Sequence, residues 1–176
     1  GVLWGAMLVN RGQTSEAMMH LRTLLGDTQL RGPLRWHARD QYAMQFAALG
    51  YTEEALWLVR EDELLASIQQ DMKARLNALG TRALLYALLE RPKAAVSAAK
   101  EYLSLRQKTP DPEGHLHARG LYAEMLMQAN EPQAALAEVE AMLQGCSGGC
   151  GGDLFGRVMG VYWSFPEQGD PTLRES

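Results

Sequence analysis

The sequence predicts an all-α protein, a right-handed α-solenoid of antiparallel helix pairs with a C-terminal capping helix. Three observations carry this reading. Ala, Leu, Met, Glu and Arg are plentiful while Ile68 is the only isoleucine, a mix that favours helix over strand. Two stretches, ERPKAAVSAAKEYL at 90–103 and NEPQAALAEVEAML at 130–143, are near-copies set 40 residues apart. Small residues recur in steps of 38, 40 and 40: Ala17, Ala55, Ala95 and Ala135, each preceded twelve positions earlier by Gly5, Ala43, Ala83 or Ala123.

The rest of the pattern follows that register. Met18, Leu56, Val96 and Leu136 come next to the second small residue, and Leu21, Val59, Ala99 and Val139 three later. Apolar letters at i, i+3 and i+7 form the buried stripe of an amphipathic helix. Each unit is therefore two helices and a tight turn, with pairs expected at about 1–27, 33–67, 72–107 and 113–144.

Each turn has its own chemistry. In the first pair NRGQT supplies Gly12 for a left-handed helix end and Thr14 for an N-cap, with Glu16 in the positive first turn. In the second, LGYT repeats this with Gly50, Thr52, Glu53 and Glu54. The third and fourth turns, ERPK and NEPQ, place Pro92 and Pro132 in the first helical turn, where no N–H partner is lost. RGP at 31–33 and TPDPEG at 109–114 break the chain between pairs, and a fainter break falls at Ser67–Asp71. After 144 come a Gly/Cys loop at 145–152, a capping helix at 153–165 with Leu154, Val158, Val161 and Tyr162 on its apolar face, and a flexible tail at 166–176. Phe155 and Trp163 either pack that helix or dock a partner.

Small residues twelve apart, one per helix of a tandem antiparallel pair, resemble the tetratricopeptide (TPR-like) repeat over residues 1 to about 144. The usual repeat is nearer 34 residues. The longer period here is similar to helical arrays of large bacterial regulators, such as activators with a C-terminal array. The family's tryptophan position holds Trp4 in the first unit and Tyr42, Arg82 and Tyr122 in the others.

The resemblance implies that first helices of successive pairs line a concave surface. Its partner-binding residues would be His37, Met44 and Ala48 on the second unit, Asn77, Leu84 and Leu88 on the third, and His117, Glu124, Met127 and Gln128 on the fourth, with Ala47 and Ala87 beside them. The lysine–asparagine clamp by which some family members hold a peptide carboxylate has no counterpart at these positions. A mostly apolar groove suits an amphipathic helix or an adjoining segment of the same parent chain. Met44 and Met127 fit such a groove, or equally fill the core.

Little else points to chemistry. HExxH, paired-Asp and phosphate-cradling Gly motifs are missing. His115 and His117, two apart, do not share a helix face. His37 with His117 either offer a ligand site across two repeats or are solvated first-turn residues. Arg39 and Arg119 recur in two HAR triplets and are expected to pair with carboxylates of a neighbouring unit, or else to meet an acidic partner. Cys146 and Cys150 in GCSGGCGG allow a flexible reduced loop, a short-loop disulfide, or half of a metal site needing four ligands.

Lys+Arg 17 against Asp+Glu 21 gives a net charge of -4, which opposes direct nucleic-acid binding. No apolar run is long enough to cross a bilayer, so no membrane insertion is expected. Gly1 in place of a start methionine, without a leader pattern, reads as a piece of a longer chain. The functional expectation is a protein- or peptide-binding module, the sensing or docking segment of a larger bacterial regulatory or signalling protein in the cytoplasm. It carries no cofactor, metal or catalytic residues and is not an enzyme. The other classes are an envelope or complex-assembly scaffold and a helical enzyme, and the neighbouring domains of the parent chain would discriminate them.

Overall fold

The computed structural model describes residues 13–26 and 33–145, all organised as helices and tight turns. Seven helices follow in order: α1 Thr14–Gly26, α2 Pro33–Ala48, α3 Thr52–Ile68, α4 Met72–Leu88, α5 Pro92–Arg106, α6 Pro112–Gln128 and α7 Pro132–Gly145. There is no strand among the described residues. The helix expected around Trp4 and Gly5, the turn glycine Gly12, the Cys146/Cys150 loop, the capping helix and the tail lie outside them.

One device closes the helices, and it repeats. Behind α2, Gly50 N–H donates to Ala47 O and Tyr51 N–H to Phe46 O. The same double bond closes α3 at Gln70 and Asp71, α4 at Glu90 and Arg91, and α6 at Asn130 and Glu131. This is the Schellman closure, which needs one left-handed residue. Gly50 supplies it with φ +88, but Gln70, Glu90 and Asn130 adopt φ 56, 53 and 61 without being glycine.

The starts are equally local. Asp71 caps α4, its Oδ1 accepting from Ala74 N–H at 3.0 Å. Asp111 caps α6 through Gly114 N–H at 2.9 Å, with Pro112 in the first turn. A Cβ at Gly114 would meet the Asp111 carboxylate, so a larger residue there displaces the cap. The expected Thr52 cap is different: Tyr51 holds the N-cap position of α3 and makes no side-chain bond, while Thr52 is the first helical residue. The acidic first turn, Glu53 and Glu54, supports that end instead.

The chain divides within α5 into two compact units, 1–98 and 99–176. In the first, α1, α2, α3 and α4 pack in sequence, and α2 also meets α4. Ala43 and Ala55, the small residues of the second pair, are both fully buried in one cluster with Ala47, Leu56, Val59, Ala78 and Leu85. Small side chains there let helices approach closely, and apolar burial then holds them together. A satellite cluster joins Trp36 to Ala66 and Ala74. In the second unit α6 packs on α7, where Ala123, Ala135, Val139 and Met142 are buried.

Candidate functional site

The site expected from sequence lies on first helices, so its geometry begins with how α2 and α4 meet. Thr81 Oγ1 donates to Asp40 Oδ1 across that seam. One residue before Asp40, Arg39 turns the other way, within its own pair: it donates from Nη2 to Glu61 at 2.7 Å and from Nε to Asp62 of α3. The second HAR arginine behaves alike, Arg119 Nη1 meeting Glu138 of α7 at 2.7 Å. The expectation that these arginines reach a neighbouring unit is therefore corrected, because the second helix of the same pair presents a carboxylate within reach. Arg82 does cross between pairs, to Glu63 at 2.5 Å.

Asp62 is buried. Burial pushes its carboxyl up from 3.8 to about 6, against the pull of the Arg39 guanidinium, with Glu61 and Asp40 adding to the rise. The cluster fastens α2 to α3. Among the described residues, no group of three or more His, Cys, Asp or Glu is placed to hold a metal ion.

Beside this seam lies the strip expected to bind. On α4, Asn77, Leu84 and Leu88 are exposed and share one helical face, being seven and four residues apart. Thr81, on the same face between them, is buried by its contact with Asp40, so the strip runs along the edge of α2. Leu84 is 37% and Leu88 58% exposed. On α2, Ala48 is exposed and Met44 is half-buried against the core cluster, so Met44 serves packing and surface together. Ala47 belongs to the core. His37 lies on α2, and its side chain is outside the described part.

In the second unit, His117 and Gln128 are exposed and Glu124 half-buried, all on one face of α6 together with Leu121. Met127 stands off that face and is half-buried. His115 is turned inward, its Nε2 2.8 Å from Thr109 O, where it ties down the turn before α6.

Several features escaped sequence reasoning. Trp36 Nε1 donates to Asp71 Oδ2 at 3.0 Å, so one aspartate caps α4 and anchors α2. On the outer side of α3, Trp57, Leu64 and Ile68 are 67%, 61% and 69% exposed at i, i+7 and i+11. Their signal was present, since α3 carries apolar letters on two faces. A cleft of about 870 Å3 opens between α1, the end of α2 and the start of α3, lined by Ser15, Met18, Met19, Phe46, Leu49, Tyr51 and Glu54. Among the described residues, no helix is long and apolar enough to cross a membrane.

A crystal structure of a point variant of a Podosopora anserina protein, described as a kinesin light chain with nearly identical TPR-like repeats, is similar to this chain at TM-score 0.75. The chain has a TPR-like repeat fold. The likeness covers 92% of this chain and 83% of that one at 18% identity. A second Podosopora anserina crystal structure, described in the same words, gives TM-score 0.71 at 15% identity, covering 99% of this chain and 95% of that one. No family model and no curated protein sequence matches. Such identities carry the architecture alone. TPR-like repeats as a class present side chains from stacked helices to protein partners.

Proposed function

We propose that the chain is a protein- or peptide-binding module that works through the exposed faces of its first helices. The observation that carries this is the strip on α4, with Leu84 and Leu88 left open to water beside α2. Burying a leucine is favoured by about 1.5–3 kcal/mol, so a partner that covers these two gains from both. An amphipathic helix answers such a strip through anchors at i, i+3 and i+4. Met44 at its edge adapts to the anchor's shape. Ala48 and Asn77 extend the contact, and His37 joins them at the entrance of α2; on the second unit His117, Glu124, Met127 and Gln128 offer a face of their own on α6. The module binds and does not catalyse. Its setting is a larger bacterial regulatory or signalling protein of the cytoplasm, where it docks a protein segment and not nucleic acid, consistent with the net charge of -4.

The test is affinity capture with the wild-type chain and Leu88→Arg, with melting temperature measured on both. Position 88 is 58% exposed, so the arginine head reaches water and folding is retained. Capture of a discrete partner should be lost by Leu88→Arg, because a desolvated charge opposes an apolar ligand. Equal capture by the two proteins at equal stability refutes the assignment of this face.

A further inference from the structure

We propose that the cleft between α1, α2 and α3 is a second docking site, distinct from the first-helix strip, for a basic protein segment with an apolar face. Its walls are Met18 and Met19 from α1, Phe46 and Leu49 from the end of α2, and Tyr51 before α3. Met19, Leu49 and Tyr51 are exposed at 68%, 37% and 55%. The floor is ordered by ring contacts, Tyr42 to Phe46 at 4.6 Å and Phe46 to Tyr51 at 5.6 Å between centroids.

The repeat itself shows why the cleft is open. Tyr51 stands 40 residues before Arg91, and Ser15 stands 38 before Glu53, the steps of the register. At the next seam along, Arg91 and Glu53 form an ion pair between the turn after α4 and the start of α3. Leu56, the counterpart of Met18, is only 2% exposed there. At the first seam the pair is replaced by a tyrosine and a serine, which cannot form it. That bridge is therefore not formed at the first seam, where Met19 stays as exposed, at 68%, as its counterpart Trp57 at 67%.

Charge selects the occupant. Glu54 lines the cleft and Glu16 stands exposed one residue beyond Ser15, while no basic residue is among those lining it. Methionine and aromatic walls accept varied apolar anchors, and an aromatic face also favours a cation above it. A volume of about 870 Å3 lies in the range that takes several side chains. The fitting partner is therefore a segment with Leu or Phe anchors flanked by Lys or Arg.

The experiment uses a short fluorescent synthetic peptide with Leu and Phe at helical i, i+3 and i+4 spacing and Lys elsewhere, and a counterpart with Glu in place of Lys. Fluorescence anisotropy against the full chain should show the Lys peptide binding, the Glu peptide weaker by about tenfold, and Glu54→Lys reversing that preference. The double variant Ser15→Glu with Tyr51→Arg rebuilds the ion pair of the next seam. It should keep the fold, read by circular dichroism and melting temperature, and lose the peptide by about tenfold or more. Repeating the titration in the Leu88→Arg background removes the share held by the first-helix strip, and the binding that remains should still prefer Lys over Glu, which separates the two sites. Equal binding of the two peptides, or binding that survives the rebuilt pair, overturns the proposal. Tighter binding on Trp4→Ala also overturns it, by showing that the chain's own N-terminal segment fills the cleft.

Discussion

Asp62 gives the sharpest test of how the second helix pair is held. It is buried on α3, bonded to Arg39 Nε, with Glu61 and Asp40 close enough to oppose its charge. Burial is the largest influence and lifts its carboxyl from 3.8 to about 6. The sign follows from linkage: a group that holds its proton more tightly when folded adds stability at low pH, and loses it as pH rises through the folded value. The full difference corresponds to about 3 kcal/mol. Between pH 7 and pH 5 those two values give a gain of about 1.3 kcal/mol as pH falls. Replacing Asp62 by Asn keeps the shape and an acceptor for Arg39 while removing the titration. Urea unfolding at pH 7 and pH 5 on wild type and Asp62→Asn isolates the effect, since all other carboxylates are common to both. Wild type should gain about 1.3 kcal/mol more than the variant on acidification. Equal pH dependence in the two proteins, or a larger gain in the Asn variant, refutes the reasoning that desolvation outweighs the Arg39 ion pair.

Other outcomes follow from the same packing. Ala55→Leu adds bulk at a fully buried position in the cluster with Ala43 and should cost about 1–3 kcal/mol in chemical denaturation. Asp71→Ala removes the α4 cap and leaves the Trp36 indole N–H without its acceptor, and should cost about 2 kcal/mol together with a shift in tryptophan fluorescence. Glu90→Gly should do the opposite, raising stability by about 0.5–1 kcal/mol, because glycine holds φ 53 without a Cβ penalty; a loss of stability would show that Glu90 makes an offsetting contact.

The sequence by itself determined the architecture. Ala43 and Ala55 mark the close approach because only small residues recur there, and periodic apolar letters name the faces that must be buried together. Pro92, Pro112 and Pro132 open helices because proline lacks the N–H that a first turn does not use. These signals are local, so they survive without knowledge of neighbours. The Schellman ends were legible at Gly50 and Asn130, residues that suit the left-handed region, and silent at Gln70 and Glu90, exposed residues held there by the two backbone hydrogen bonds of the closure. The expected binding residues were legible only as positions on first helices. Whether each faces water or core was decided by the fold, which left Leu88 out, took Ala47 in and set Met44 half-way. Arg39 could be foreseen as one half of an ion pair, yet its partners Glu61 and Asp62 lie 22 and 23 residues away. The cleft beside Tyr51 belongs wholly to the tertiary structure. Ser15 and Tyr51 stand at the register positions of Glu53 and Arg91, but only the packing of α1 on α2 shows the space beside them.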